Sequence, residues 1–271
     1  MLQASLYPTN KPTKAKKSPA SSKSNILLFP LSPEVRKRRF LNSISTPGGK
    51  QKYKRYIASP LRYAGGKTLA VGLIVELIPT SIKRLISPFI GGCSVEVAVA
   101  KELDIPVLGF DIFDILINYW DAQLHNPEAL YKRLAKFQPT REGFKEAKDT
   151  LKLHWTQKQK LKNLDLAAYY FFNSNTSYGP HFLGWPSSVY LQDVRYQKMI
   201  QKVRDFRAPK LQVGCESFEN VIPQYNNDFL YCDPPYYLDG DSKTFIGMYP
   251  HRNFPIHHKG FKAGPSKCEA E

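Results

Sequence analysis

Asp228 to Tyr237 reads DFLYCDPPYY and carries the densest chemistry in the chain. An apolar run ends abruptly in Asp233-Pro234-Pro235-Tyr236. Neither proline has an N–H to give a neighbouring strand, so the ladder must stop and the backbone must leave the sheet. The carboxyl end of a strand is where open α/β folds place ligands. Asp233 offers a carboxylate, the prolines offer carbonyls free of ladder bonds, and Tyr236 offers an aromatic face. That set suits an exocyclic amine on a planar ring. Carboxylate and proline carbonyl each accept one N–H, the phenol stacks on the ring, and the nitrogen lone pair turns toward an electrophile. Positioning does most of the work in such a scheme.

A second candidate is Pro88-Phe89-Ile90-Gly91-Gly92-Cys93-Ser94. Glycines between a strand and a helix let the backbone approach a ligand, and the helix N-terminus adds N–H donors. Asp111 follows Gly91 by 20 residues, at the end of the next expected strand. That spacing lets an acid grip a ribose diol in dinucleotide-type folds. A third is Arg62-Tyr63-Ala64-Gly65-Gly66-Lys67, a Gly-Gly turn closed by a lysine suited to a carboxylate or phosphate. It lacks P-loop spacing, which disfavours nucleotide hydrolysis. Tyr63 reads either as a cofactor contact or as a rim aromatic.

These residues need a scaffold with strands that end together. Arg84–Phe89, Val107–Ile112, Leu211–Cys215 and Asp228–Cys232 have strand character. Leu69–Ile78 reads as a short helix closed by Pro79, and Ser94–Leu103 as a helix with Ser94 at its N-cap. Helical stretches follow at Ile115–Gln123 and Pro127–Phe137. Strand–helix–strand alternation predicts a parallel sheet covered by helices. Residues 138–165 are polar and Lys-rich, Leu166–Phe172 is aromatic, and Asn173–Ser188 reads as an irregular surface loop. This middle has the character of an insertion.

The 271 residues hold 39 Lys and Arg against 23 Asp and Glu, a formal charge of +16. Residues 1–55 carry 13 of these bases and one acid, so the excess is mainly a tail. The remainder is only mildly basic, and nucleic-acid binding does not follow from total charge. With 42% apolar residues the chain can bury a core, which excludes wholesale disorder. No apolar run nears the roughly 20 residues of a spanning helix, and Ile26–Leu31 is too short and too late for a usual secretory signal. Cys93, Cys215, Cys232 and Cys268 form no CxxC pair and read as reduced thiols in an intracellular protein. His257-His258, with no acids or cysteines nearby, reads as surface.

Taken in order, RYAGGK, PFIGGCSVE, GFDI and DPPYY resemble the Dam-type family of DNA adenine-N6 methyltransferases, over roughly residues 57–260. The resemblance implies an α/β fold: a Rossmann-like S-adenosylmethionine-dependent methyltransferase sheet with a mainly helical or irregular target-recognition insert. The division it suggests is a basic, disordered tail at 1–55, a cofactor-binding part at 56–135, the insert at 136–208, a catalytic part at 209–261 and a polar tail at 262–271. It implies S-adenosyl-L-methionine held by Tyr63, Lys67, Phe89, Gly91, Asp111 and Asp233. Asp233, Pro234, Pro235 and Tyr236 become the catalytic motif, and Phe218 a wall of the adenine pocket. The reaction would be in-line methyl transfer to adenine N6 of a flipped base in double-stranded DNA, with no metal. Asn173, Asn175, Ser177, Tyr178, His181, Trp185 and Arg252 become candidate DNA contacts. A monomer in the cytoplasm or nucleus is expected, with a cognate restriction endonuclease as a possible partner. The alternative substrates of related proline-aromatic motifs, glutamine amides or RNA amines, go with Asn in first place and no RYAGGK.

Two departures stand out. Cys93 occupies a position where the family usually has glycine. Only 34 residues follow Tyr237, and Phe245–Phe254 still reads as a basic aromatic loop near DNA. The expectation is a truncated chain with an incomplete sheet and an exposed DPPY edge strand. Its alternative reading is a catalytically dead remnant that retains DNA binding.

Overall fold

The computed structural model describes residues 31–235. Four parallel strands lie in the order β3–β2–β1–β4, with β1 at Leu85–Ser87, β2 at Val107–Asp111, β3 at Leu211–Cys215 and β4 at Phe229–Leu230. Leu85 pairs with both Val107 and Phe229, so β1 runs between β2 and β4. Its three residues are all buried, as expected of a strand covered on both faces. The chain therefore starts near the middle of the sheet, builds outward through β2 and β3, and returns to the other side with β4. Ligand crevices form at such a reversal, outside the carboxyl ends of the strands. Among the described residues β4 is outermost on its side. This is the mixed α/β, Rossmann-like arrangement expected.

Among the described residues the helices are α1 (Pro33–Ile44), α2 (Val71–Leu77), α3 (Ser94–Ala98), α4 (Asp114–His125), α5 (Pro127–Leu134), α6 (Arg141–Trp155), α7 (Asn163–Thr176), α8 (Asp193–Asp205) and α9 (Phe218–Gln224), of which α4 and α9 pack on the strands. α3 widens into a π-helical turn at Val99–Leu103, which ends at Asp104 in the left-handed region. Val95, Val97, Ala98, Val99 and Leu103 in this stretch are all core residues. The centre of the protein is aromatic. Tyr119 and Trp120 of α4 lie against Tyr170, Phe171 and Phe206, with Tyr119 and Phe171 stacked at 5.8 Å. α7 thus packs along α4, while α8 packs on α5.

Three expectations are corrected. The basic segment is structured from Ser32 onward. α1 begins with Pro33 in its first turn, buries Phe40 against Tyr56, and sends Lys37 Nζ to the carbonyls of Glu76 and Ile78 at 2.7 Å each. Those are unpaired carbonyls at the end of α2, where a cation is favourable. Ser94 is the first helical residue, not the cap; Cys93 holds the cap position with φ 57° and ψ 33°. Finally, α7 runs on through Asn173–Thr176, so the irregular segment starts only at Ser177. It is closed at its base by pairing between Ser177 and Pro186 and by the Tyr178 N–H bond to the Trp185 carbonyl at 2.9 Å.

No helix among the described residues is long and apolar enough to cross a membrane.

Candidate active site

β1 ends at Ser87 and the chain turns through Ile90–Cys93, closed by the Cys93 N–H to the Ile90 carbonyl at 2.8 Å. Gly91 sits at φ 44°, in the left-handed region. The Tyr63 ring lies directly over this turn. A Cβ on Gly91 would meet Tyr63 at 2.9 Å and one on Gly92 would meet it at 2.6 Å, so only glycine admits the ring here. The Gly91 carbonyl accepts from Trp120 Nε1 at 3.0 Å, and the Gly92 carbonyl from the Ser59 hydroxyl at 2.8 Å.

Asp111 closes β2 beside that turn. Its Oδ2 accepts the Gly91 N–H at 3.2 Å and its Oδ1 the Phe113 N–H at 3.0 Å. Burial pushes its carboxyl up to about 6, and the two N–H groups oppose that rise. At neutral pH it is mainly an anion that can accept from hydroxyls. Phe89 and Phe218 pair at 5.2 Å and 33°, which brings the aromatic of the β1 turn to the start of α9. α9 begins there because Ser217 accepts the Glu219 N–H.

Asp233 follows β4 directly. The Tyr231 N–H still bonds the Ile86 carbonyl at 2.8 Å, and two residues later Lys67 Nζ meets Asp233 Oδ2 at 2.6 Å. Lys67 also donates to the Gly65 carbonyl at 3.0 Å. At the other end of the strand Arg84 grips Asp228 with two bonds of 2.9 and 2.7 Å, which fixes the register of β4 on β1. The expected cofactor residues gather in two neighbouring groups at the carboxyl edge of the sheet: Tyr63, Phe89, Gly91 and Asp111 about the glycine turn after β1, and Lys67 with Asp233 at the end of β4, which pairs with β1. Tyr236 and Arg252 lie outside the described residues, as do the loop at Phe245–Phe254 and His257-His258.

The candidate DNA contacts divide. Asn173, Asn175 and Ser177 are buried and engaged within the protein. Asn173 Oδ1 accepts the Leu183 N–H, Ser177 Oγ donates to the Asn173 carbonyl, and Asn175 bridges Arg62 and Pro60. They brace the segment rather than face outward, and the expectation of direct contact is corrected for these three. Tyr178 and Trp185 stand out from it at 80% and 78% exposure, with His181 half-buried between them.

Three residues to which the sequence assigned no role matter to the site. Arg62 ties the Tyr63 loop to the end of α7. Trp120 holds the glycine turn. Glu96 is a buried acid within the apolar VEVAVA stretch, hydrogen-bonded by Ser87 at 2.7 Å. Burial first, and nearby Asp233 in addition, push it up to about 7, against the Ser87 bond. A lone acid inside an apolar run was the visible signal for it.

A parallel sheet with a glycine turn, an acid and a Pro-Pro pair at its carboxyl edge defines a mixed α/β, Rossmann-like protein. The chain belongs to the D12 class N6 adenine-specific DNA methyltransferase family, whose model matches residues 63–269. It is also 28% identical over 205 residues to the type II methyltransferase M.FokI of Planomicrobium okeanokoites, a match covering 70% of this chain and 30% of that relative.

Proposed function

We propose that this protein transfers a methyl group from S-adenosylmethionine to adenine N6 in double-stranded DNA. The observation that carries the reading is the junction of the DPP strand end with the glycine turn of its neighbouring strand, clasped by Lys67 on Asp233 at 2.6 Å.

The residues fit the cofactor on three counts. The Gly91–Gly92 turn admits an aromatic roof that a Cβ would displace. Asp111 presents a carboxylate suited to a ribose diol. Phe89 and Phe218 form an aromatic wall suited to a purine. When bound, S-adenosylmethionine supplies an electrophilic methyl on a sulfonium. The chain's own groups do the rest. Lys67 holds one oxygen of Asp233, so the other oxygen and the Pro234 carbonyl accept the two N–H bonds of the target amine. The target base must leave the duplex to reach them, and Tyr236 is assigned to stack on it.

Support for a duplex substrate comes from one face of α6. Arg141, Lys145, Lys148 and Lys152 recur at helical spacing in one stripe, about a quarter turn around the helix from the buried Phe144, Ala147 and Leu151. The row spans about 16 Å, long enough for several phosphates. Lys148 links it to the exposed segment, donating to the Gly184 carbonyl at 3.0 Å and lying 4.8 Å from the Trp185 ring. Tyr178, His181 and Trp185 then take contacts at the bases. A monomeric enzyme working inside the cell beside an endonuclease of the same specificity completes the reading. The chain spans about a third of the length of the relative it matches.

The test is transfer of label from S-adenosylmethionine to duplex DNA by the 271-residue chain, read as N6-methyladenine after digestion. Asp233→Ala should abolish labelling while duplex binding persists. A chain that labels nothing and whose DNA binding is lost on deleting residues 1–55 would instead be the inactive remnant.

A further inference from the structure

Arg62 immediately precedes Tyr63, whose ring roofs the glycine turn, yet its own bonds go to the end of α7. Its main-chain N–H donates to Asn175 Oδ1 at 2.9 Å. Its Nη1 donates to the carbonyls of Asn175 and Ser177, at 2.7 and 2.9 Å. Asn175 Nδ2 returns a bond to the Pro60 carbonyl at 3.0 Å, so Asn175 grips the loop on both sides of Leu61. The guanidinium lies 3.5 Å from the centroid of the Tyr190 ring. Arg62 is half-buried, and burial lowers its pKa, although the group stays cationic.

The carbonyls it holds stand at the end of α7, where the last four lack partners within the helix. A cation there is favoured by the helix dipole. α7 leads without a break into Tyr178, whose N–H is fixed to the Trp185 carbonyl. The direction in which Tyr178 and Trp185 project is therefore set by where α7 stops, and Arg62 holds that stop. One residue joins the loop beneath the cofactor to the base of the segment assigned to DNA, through main-chain and side-chain bonds alike.

We infer that Arg62 is a positioning residue that couples the two ligands: seating the cofactor against Tyr63 orders the Tyr178–Trp185 segment for duplex DNA, and the duplex tightens the cofactor site in return. The reciprocity is required thermodynamically, because a coupling between two binding equilibria acts equally in both directions. The inference rests on the functional reading above.

The experiment uses the full chain, S-adenosylhomocysteine as the cofactor probe and a duplex oligonucleotide cut from DNA that the protein methylates, or mixed-sequence duplex if none is known. Calorimetry gives the S-adenosylhomocysteine affinity with and without duplex, and fluorescence anisotropy gives duplex affinity with and without the probe. The wild type should show a coupling factor on the order of tenfold in both measurements. Arg62→Ala should bring the factor to about one, and Arg62→Lys, which keeps the charge but not the flat face on Tyr190, should recover part of it. Tyr190→Leu, which removes the stacking surface and leaves Arg62 in place, should lower it as well and serves if Arg62→Ala does not fold.

A coupling factor that stays near the wild-type value in the folded variants overturns the inference, even where thermal midpoint and both affinities fall, because that pattern marks a helix cap and nothing more. A wild type that binds both ligands without coupling overturns it alone. A wild type that binds neither overturns the functional reading, and this inference with it.

Discussion

Glu96 offers the sharpest physical test of the site. It lies under the glycine turn on the first residues of α3, fully enclosed, with Ser87 as its hydrogen-bond donor. Its carboxyl moves from an ordinary 4.5 to about 7. Each factor of ten in proton affinity is about 1.4 kcal/mol, so the ionised acid costs the fold about 3 kcal/mol. The sign follows from linkage. Below pH 4.5 both folded and unfolded chains hold the proton and there is no cost. As pH rises the unfolded chain releases it first, and stability declines until the folded acid has ionised as well, above about 7. Between pH 5 and pH 8 the decline from this group is about 2–3 kcal/mol. Glu96→Gln keeps the acceptor for Ser87 and removes the titration. Its extra amide N–H needs a partner in a closed site, a cost of about 1–3 kcal/mol, but that cost is the same at both pH values. The assay is urea unfolding of wild type and variant at pH 5 and pH 8. The variant should lose about 2 kcal/mol less than the wild type over that interval. Equal losses, within about 0.5 kcal/mol, refute the buried-acid argument. Asp111 titrates in the same direction, from 3.8 to about 6, in both proteins and cancels in the comparison.

Three further outcomes are expected. Asp111→Asn removes a charged acceptor from the β2 edge and should weaken S-adenosylhomocysteine binding by about 1.5–3 kcal/mol, roughly 10–150-fold by calorimetry; unchanged affinity would remove Asp111 from the cofactor site. Gly92→Ala places a methyl 2.6 Å from Tyr63 Cβ. Shifting the ring should cost about 1–3 kcal/mol, read as a fall in cofactor affinity with duplex affinity in the absence of cofactor unchanged. Neutralising Lys145 and Lys152 together should flatten the dependence of log duplex affinity on log salt by about 2, and an unaltered slope would clear α6 of phosphate contact.

Much of the site was legible because its chemistry is local. A Pro-Pro pair must end a strand wherever the strand lies, and a Gly-Gly turn before an apolar helix signals close approach whatever approaches. The alternation of strand-like runs at Arg84–Phe89 and Val107–Ile112 with helical stretches indicates a parallel sheet before any pairing is known. Periodicity even located α4 and α5 to within a few residues. What remained hidden depends on partners distant in the chain. Asn173, Asn175 and Ser177 read as surface polarity, because a side chain's type does not say whether Arg62 or Leu183 will come to meet it. The basic run at Val35–Phe40 read as a tail, because its single buried anchor, Phe40, gains value only when Tyr56 and α2 are folded against it. Glu96 shows in the sequence as a lone acid in an apolar run, but its raised proton affinity comes from the layers that close over it. A sequence specifies which groups are present and where the backbone must turn. Burial, charge and hydrogen-bond satisfaction are properties of neighbours, and long-range packing supplies the neighbours.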